Sequence, residues 1–289
     1  MQNNMIDISQ SEEVLTIIQQ ALIEDVGNGD YSSLSCIDKN KRAVAKLIFK
    51  DNGIAAGLSI AYTVLKLNDP TCNITKIMKD GDVVKFGDIG FEVEGNAQAL
   101  LKSERLLLNI MQRLSGIASI THQVVSLIKN TKARILDTRK TTPNLRILEK
   151  WAVTAGGGFN HRIGLYDMIM LKDNHVDVAG GIVPAITKAK QYLLDNNLSL
   201  PIEIETRSIE EVKLALTQLP IKRIMLDNFT PEKTLEAVIL IDNKCETESS
   251  GGITMKNILE YAVTGVNFIS LGMLTHSVKS LDISFKIKL

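Results

Sequence analysis

Charged side chains stand at the ends of strand-like segments in the second half of the chain. Asp137, Arg139 and Lys140 follow or end the run ARILDT, and Lys172 ends the run MIMLK. Arginine binds carboxylates with two parallel hydrogen bonds, whereas a lysine at a strand end is either an anion ligand or a desolvated amine that forms a Schiff base. An internal salt-bridge cluster is the structural alternative. We therefore predict a small-anion site and keep carbonyl chemistry at Lys172 open.

Two glycine-containing tracts add backbone that can approach a ligand. GGGFNHR (156–162) places His161 and Arg162 after three glycines, although a single histidine is also typical of a structural position. ESSGGIT (248–254) places Gly251 and Gly252 at the predicted start of a helix, where free N–H groups bind phosphate. Gly272, at the end of the next predicted strand, supports a phosphate site.

Carboxylates form the second charged group. Glu203 and Glu205 are two residues apart on one predicted strand, so both point to the same side, while Ile202 and Ile204 point to the other. Unpaired buried carboxylates are costly, and we expect the basic strand ends to pair with them. Glu205 and Asp227 are candidates to hold Mg²⁺ or ribose hydroxyls, with Glu203 as the alternative to Glu205.

The elements that must position these residues alternate between strands and helices. Strands are predicted at 133–138, 167–172, 201–206, 223–228, 245–249 and 267–272, and helices at 144–155, 183–196, 208–219, 230–241 and 254–265. Ser208 and Thr230 are typical N-caps. No GxGxxG follows the first strand, so the βα units favour a parallel barrel over a dinucleotide-binding sheet. In a barrel, the carboxyl ends of the strands share one mouth.

The first half has a different pattern. A helix at 11–24, short strands at 42–50, 73–79 and 88–95, and a long helix at 97–116 predict an α+β domain. We place this domain at 1–115 and the barrel at 116–274, and we expect the tail at 275–289 to pack back on the first domain.

Composition excludes several classes of protein. The 289 residues carry 33 basic and 33 acidic side chains, which argues against a general nucleic-acid binder. No apolar run reaches the length of a membrane span, and the N-terminus lacks the features of a signal peptide. Cys36, Cys72 and Cys245 fit neither a disulfide framework nor a metal site. We expect a cytoplasmic protein that binds neither nucleic acid nor membrane.

The basic residues are concentrated between Lys132 and Lys172. This stretch holds eight basic and three acidic residues, a formal charge of +5. We assign Lys150 to a solvated helix face. The remaining cations indicate a small anionic ligand.

Six tracts in this order resemble the quinolinate phosphoribosyltransferase family. They are EDVGNGD, ERLLLNIMQRLSGIAS, DTRKTTPNLRILEKWAV, GGGFNHRIGLYDMIMLKDNH, IMLDN and SSGGIT. The resemblance covers nearly the whole chain. It implies an N-terminal α/β sandwich domain, an open α/β barrel of the type II phosphoribosyltransferase kind, and a homodimer or homohexamer with shared active sites. It also implies conversion of quinolinate and phosphoribosyl pyrophosphate, with Mg²⁺, to nicotinate mononucleotide, pyrophosphate and CO2.

The resemblance also implies roles for individual residues. Arg105 corresponds to an arginine lent to the neighbouring subunit's site. The quinolinate pocket is expected to contain Thr138, Arg139, His161, Arg162 and Lys172. The phosphoribosyl pyrophosphate and metal contacts, and hence the catalytic group, are expected to be Lys140, Glu205 and Asp227. The phosphate cradle is expected to contain Ser250, Gly251 and Gly272.

Four positions depart from the family pattern and bear on substrate affinity. Asn144 stands where glycine is usual, Thr154 and Ala155 replace an Arg-Cys pair, and Phe159 replaces a histidine. Three other functions stay open: a related barrel that acts on another pyridine or small aromatic acid, a Schiff-base aldolase that uses Lys172, and a non-catalytic anion-binding protein.

Overall fold

Helices and strands account for most of residues 6–288, the part of the chain that this computed structural model describes. The helices are α1 (Glu12–Val26), α2 (Tyr31–Cys36), α3 (Leu58–Asn68), α4 (Ala97–Leu127), α5 (Arg146–Ala155), α6 (Asp173–Ala179), α7 (Ile182–Asp195), α8 (Ile209–Leu216), α9 (Pro231–Ile241), α10 (Ile258–Ala262) and α11 (Met273–His276). The strands are β1 (Arg42–Phe49), β2 (Gly53–Ile54), β3 (Asn73–Lys76), β4 (Val83–Val84), β5 (Ile89–Asn96), β6 (Arg134–Leu136), β7 (Ile169–Leu171), β8 (Ile202–Thr206), β9 (Arg223–Asp227), β10 (Glu246–Ser250), β11 (Phe268–Ser270) and β12 (Ile283–Lys288).

The chain divides into two units. Among the described residues, the first unit comprises 6–122, 141–157 and 273–288, and the second comprises 123–140 and 158–272. The predicted boundary between residues 115 and 116 falls inside α4.

The first unit contains an antiparallel sheet in the order β12-β1-β5-β3. Alternate residues of β1 are buried, as the period of a strand with one buried face requires. The C-terminal strand β12 pairs with β1, with Ile283 opposite Phe49. Helix α2 lies between the predicted helix at 11–24 and the predicted strand at 42–50, where the sequence pattern predicts no element. Asp30 explains the difference, because its side chain accepts the Ser33 N–H and caps that helix.

A fully buried carboxylate fixes the segment that follows Lys140 in sequence. Glu149 accepts hydrogen bonds from Arg113 Nε and Nη2 at 3.1 and 2.8 Å, and from Thr142 N and Oγ1 at 3.1 and 2.8 Å. These bonds provide the pairing that a buried charge needs. Lys150 is only 1% exposed. The prediction of a solvated face for Lys150 is therefore wrong, because α5 is buried at every position from 148 to 153.

The second unit is an open parallel barrel of six strands in the order β6-β11-β10-β9-β8-β7. This confirms the predicted α/β class. Ile202, Ile204, Ile224 and Leu226 pack in an apolar cluster with residues of the surrounding helices, which leaves the alternate residues of β8 and β9 to face the interior. The predicted caps are also confirmed: Ser208 and Thr230 accept N–H groups of the first turns of α8 and α9.

One predicted helix is much shorter than expected. Helix α10 covers Ile258–Ala262 and not 254–265, so the prediction that Gly251 and Gly252 open a helix is wrong. The Asn257 side chain accepts both the N–H and the hydroxyl of Thr254, which holds these residues in a turn instead. No helix within residues 6–288 is long and apolar enough to cross a membrane.

Candidate active site

The second unit collects eleven of the twelve predicted site residues. Because its strands are parallel, their carboxyl ends lie at one edge of the sheet. Residues there come from every strand: Thr138, Arg139 and Lys140 after β6, Lys172 after β7, Glu205 in β8, Asp227 in β9, Ser250 and Gly251 at the end of β10, and Gly272 after β11. His161 and Arg162 follow Phe159, which bridges to Leu136 of β6. Arg105 lies in the first unit, exposed on α4.

Two arginines form the cationic part of the site. The Nε atom of Arg139 is buried and has no hydrogen-bond partner within residues 6–288. Arg162 is only 7% exposed, and its Nη1 donates to the Met168 carbonyl at 3.1 Å. Burial lowers the pKa of Arg162, and the positive charge of Arg139 lowers it further. A buried arginine beside a second, half-buried arginine of the same charge is typical of a site that an anion completes.

Two carboxylates form the anionic part. Burial raises the pKa of Glu205, and Asp227 and Asp173 raise it further, to about 7, against the opposing charge of Lys172. Burial also raises the pKa of Asp227. Glu205 therefore lies beside Asp227 within the influence of Lys172. Crowded carboxylate oxygens that resist ionisation are suited to a hard divalent cation such as Mg²⁺.

A turn after β10 lies directly against the end of β9. Asn228, in the left-handed region at φ 57°, donates its N–H to the Ser250 carbonyl at 2.8 Å and its Nδ2 to Asp227 Oδ2 at 2.6 Å. Gly251, at φ 87°, leaves room for the Asn228 side chain, since a Cβ there would lie 2.2 Å from Asn228 Oδ1. The turn thus fixes the Asp227 carboxylate through Asn228.

His161 lies deeper in the barrel than we expect for a residue that binds a substrate carboxylate. Its Nε2 is 3.1 Å from Glu203 Oε2 and 3.4 Å from Glu248 Oε2. Its Nδ1 accepts the Arg162 N–H at 2.7 Å, and its own N–H donates to Asp137 Oδ1 at 2.8 Å. Both ring nitrogens therefore face protein atoms, and direct contact of His161 with substrate stays a prediction.

The protonation of His161 follows from this geometry. Burial lowers the pKa of His161, whereas hydrogen bonding and charge interactions with Glu203 and Glu248 raise it and so favour protonation. The loop opposes that protonation, because a proton on Nδ1 would face the Arg162 N–H. We assign the neutral imidazole with hydrogen on Nε2, since the buried backbone bond at 2.7 Å leaves no room for a second donor.

The inward carboxylates find a partner that we did not predict. Arg223, at the beginning of β9, lies 2.7 Å from Glu248 and 3.6 Å from Glu203. The expectation that basic strand ends pair with Glu203 is therefore wrong. Glu246 and Glu248 alternate on β10 as Glu203 and Glu205 do on β8. This alternation is the sequence signal that indicated further carboxylates in need of a cationic partner.

This cluster has the geometry of a metal site, but a cationic side chain already neutralises its carboxylates. His161, Glu203 and Glu248 each offer a ligand atom, and the three atoms lie within 4.8 Å of one another. Arg223 already places a cation against both carboxylates. We therefore interpret the group as an ion-pair cluster.

The lysine at the end of β7 is poorly placed for Schiff-base chemistry. Lys172 is exposed, and its backbone N–H donates to His175 Nδ1 at 3.0 Å. A Schiff-base lysine is activated by desolvation or by a neighbouring cation. Lys172 has instead carboxylates for neighbours, which argues against the aldolase alternative.

Two of the departures from the family pattern have a structural account. Asn144 adopts φ 65°, a left-handed conformation that glycine adopts freely and asparagine tolerates better than most residues. Phe159 forms the bridge to β6 and lies under the Arg134 guanidinium, with 5.1 Å between Cζ and the ring centroid. Nothing in the structure explains Thr154 and Ala155 as replacements for an Arg-Cys pair.

An open parallel barrel with cations, carboxylates and a glycine turn at its strand ends defines an enzyme of the barrel class that binds anionic substrates. Two family models match the chain. Residues 30–115 match the N-terminal domain of quinolinate phosphoribosyl transferase, and residues 117–286 match its C-terminal domain. The chain belongs to the quinolinate phosphoribosyltransferase family, which confirms the family and the enzyme class predicted from the motifs.

Individual relatives are similar over almost the full chain. The chain is 43% identical to the chloroplastic nicotinate-nucleotide pyrophosphorylase [carboxylating] of Arabidopsis thaliana, over 95% of this chain and 83% of the relative. It is 43% identical to a probable nicotinate-nucleotide pyrophosphorylase [carboxylating] of Bacillus subtilis, over 94% and 93%. The solved structure of the nicotinate-nucleotide pyrophosphorylase of Francisella tularensis is 36% identical, covers 99% of this chain and 100% of its own, and superposes with a TM-score of 0.89.

Proposed function

We propose that the protein transfers the phosphoribosyl group of phosphoribosyl pyrophosphate to the ring nitrogen of quinolinate. Loss of CO2 then gives nicotinate mononucleotide, with pyrophosphate as the second product. The relatives named above support this reaction by their names. The reaction would supply the pyridine nucleotide precursor of NAD.

One observation carries the assignment of the acid. Burial and the positive charge of Arg139 lower the pKa of Arg162, and Arg139 keeps a buried donor without a partner among residues 6–288. A dianion with two carboxylates on one ring satisfies both guanidinium groups at once, whereas a monoacid leaves one of them unpaired. Thr138, His161 and Lys172 complete the proposed quinolinate pocket.

The sugar phosphate is assigned to the other strand ends. We place the pyrophosphate group near Lys140 and the 5′-phosphate between the turn at Ser250 and Gly251 and the neighbouring Gly272 after β11, because backbone N–H groups of glycine turns bind phosphate. Lys140 opposes the negative charge that develops on the leaving pyrophosphate. Glu205 and Asp227 hold ribose hydroxyls and tolerate the cationic sugar.

Mg²⁺ fits the Glu205 and Asp227 carboxylates, because these are oxygen ligands whose burial and mutual repulsion a cation relieves. When bound, chiefly through the phosphates of the substrate, Mg²⁺ supplies neutralising charge for the leaving group. The chain's own groups are mostly fixed charges and backbone donors. Positioning and electrostatic stabilisation, with little general acid catalysis, therefore account for the rate.

Decarboxylation needs no further side chain beyond the acid pocket. After transfer, the ring nitrogen is quaternary and withdraws electrons from the bond to the adjacent carboxylate. The electrons of that bond stay on the ring carbon as CO2 leaves, and a proton then replaces the carboxylate. Arg139 and Arg162 would keep the ring fixed during this step.

We also propose a homodimer, or a homohexamer built from dimers, in which Arg105 of one subunit reaches the site of its neighbour. The exposure of Arg105 on α4 is compatible with that role. We propose the cytoplasm as the compartment, because Cys36, Cys72 and Cys245 are free thiols, as expected where disulfides are kept reduced.

The direct test is an assay of purified protein with phosphoribosyl pyrophosphate, Mg²⁺ and one pyridine acid at a time. We expect quinolinate to give nicotinate mononucleotide, pyrophosphate and CO2 in equal amounts, and nicotinate to give little product. Faster turnover of nicotinate or another small aromatic acid would assign the protein to the related-barrel alternative. Binding of the substrates without turnover would indicate a non-catalytic protein.

A further inference from the structure

A series of ion pairs crosses the interior of the barrel below the residues assigned to the substrates. Glu246 contacts Arg223 at 3.0 Å, and Arg223 contacts Glu248 at 2.7 Å. Glu248 and Glu203 are both fully buried, and each faces His161 Nε2. The register explains the assembly, because Glu203, Arg223 and Glu246 are direct partners on three neighbouring strands.

The surroundings of Glu203 and Glu248 shift the pKa values of the two carboxyl groups in opposite directions. Burial raises the pKa of Glu203, and the negative charge of Glu248 raises it further. Burial also raises the pKa of Glu248, but His161 and Arg223 outweigh burial and lower it. Arg223 Nη1 donates a hydrogen bond to Glu248 Oε2 at 2.7 Å, so Glu248 is the carboxylate that this arginine neutralises. The Arg223 guanidinium is also held by the Phe268 ring, whose centroid lies 4.1 Å from Cζ.

His161 connects this cluster to both parts of the acid pocket. Its backbone N–H donates to Asp137, which directly precedes the segment that holds Arg139. Its Nδ1 accepts the N–H of Arg162. The orientation and tautomer of the His161 imidazole therefore affect the backbone position of Arg139 and Arg162.

We propose that Glu248, held by Arg223, is a positioning residue for the acid pocket and acts through His161 without touching a substrate. A carboxylate only accepts hydrogen bonds, so Glu248 at 3.4 Å and Glu203 at 3.1 Å both favour the hydrogen of His161 on Nε2, which leaves Nδ1 free to accept the Arg162 N–H. An amide in place of Glu248 can also donate to Nε2, so only Glu203 would still favour this tautomer. This inference rests on the assignment of Arg139 and Arg162 to the pyridine dicarboxylate.

The kinetic test compares Glu248→Gln with Glu246→Gln. Glu246 is the matched control, because it lies two residues earlier on the same strand and binds the same arginine without contacting His161. For Glu248→Gln we expect the KM for quinolinate to rise about tenfold, while kcat and the KM for phosphoribosyl pyrophosphate stay within about twofold. We expect Glu246→Gln to keep the wild-type KM for quinolinate. Equal changes in both variants, or a similar rise in the KM for phosphoribosyl pyrophosphate, would show that Glu248 has only a structural role.

A spectroscopic test on the wild-type protein does not depend on the folding of any variant. The imidazole ¹⁵N spectrum, assigned with His161→Gln, should show His161 as the neutral tautomer with hydrogen on Nε2. An imidazolium, or hydrogen on Nδ1, would overturn the proposal.

The assignment of the acid pocket and the positioning role of Glu248 can be tested separately. If Arg139→Ala keeps the wild-type KM for quinolinate, the acid pocket itself is misassigned. If Arg139→Ala loses quinolinate binding while Glu248→Gln behaves like Glu246→Gln, only the positioning role is wrong.

Discussion

Gly251 and Asn228 pack so closely that a single methyl group cannot fit between them. A Cβ on Gly251 would lie 2.2 Å from Asn228 Oδ1 and 2.9 Å from its backbone nitrogen. Asn228 in turn holds the Asp227 carboxylate. The turn after β10 and the carboxylate at the end of β9 are therefore one structural unit.

Gly251→Ala should displace Asn228 and Asp227 together. We expect kcat/KM for phosphoribosyl pyrophosphate to fall by about tenfold or more, measured as initial rates at saturating quinolinate. Gly252→Ala is the control, because Gly252 is also left-handed at φ 64° but a Cβ there meets nothing within 4 Å. That variant should lose only about 1 kcal/mol of stability and keep its kinetics. Similar kinetic losses in both would show that backbone strain, and not Asn228, is responsible.

Lys140→Ala should impair catalysis without unfolding the protein. Lys140 is exposed at the end of β6, so truncation creates no cavity. We expect kcat/KM to fall by about a hundredfold or more, because charge on the leaving pyrophosphate is no longer opposed. Lys244→Ala, an exposed lysine of the same unit, is the control, and circular dichroism checks the fold. Near-normal turnover of Lys140→Ala would remove Lys140 from the catalytic group.

Glu205→Gln should stabilise the metal-free protein at high pH. The folded-state pKa of Glu205 is raised to about 7 from 4.5, so the folded state holds the proton more tightly than the unfolded state does. The stabilisation that comes from binding this proton is fully present below pH 4.5 and is lost as the pH rises through 7. We therefore expect the variant's Tm to exceed that of the wild type by about 2 °C at pH 8, and by less at pH 5.5.

The control for this experiment is Glu260→Gln, which removes an exposed carboxylate from the same unit. It should show no such pH-dependent difference in Tm. If Glu205→Gln is no more stable than the wild type at pH 8, Glu205 and Asp227 do not repel each other as the structure implies.

Mixed oligomers test the proposed sharing of Arg105. Arg105→Ala and Arg139→Ala should each be nearly inactive alone. After mixing, unfolding and refolding in equal amounts, hybrid dimers contain one site with both arginines intact, so about a quarter of the wild-type activity should return. Mixing without subunit exchange provides the control. If refolded mixtures regain no activity, Arg105 serves its own subunit or none.

The placement of the site residues could be predicted because it depends on local pattern. Parallel strands end at one edge, so charges such as Lys172 and Asp227 at strand ends meet there whatever the details of packing. The alternation of Glu203 and Glu205 likewise fixes which side chains face inward. Glu205 lies beside Asp227, and Glu203 lies deeper beside His161.

Other features required the three-dimensional register. The pairing of Glu248 with Arg223 depends on which strands are neighbours, because the two residues are 25 positions apart in sequence. Helix α10 begins late because side-chain hydrogen bonds between Thr254 and Asn257 compete with the helix, an effect that hydrophobic periodicity does not report. Lys150 is buried because α5 is packed on all sides, although its sequence is amphipathic.

Arg139 and Arg162 are expected to bind one dianion between them. Calorimetric titration of quinolinate into the wild-type protein, Arg139→Ala and Arg162→Ala measures this directly, with nicotinate as the monoacid ligand for comparison. We predict that each substitution weakens quinolinate binding at least about tenfold, and that wild-type protein binds nicotinate more weakly than quinolinate. Unchanged quinolinate affinity in both variants would show that these two arginines do not bind the dianion.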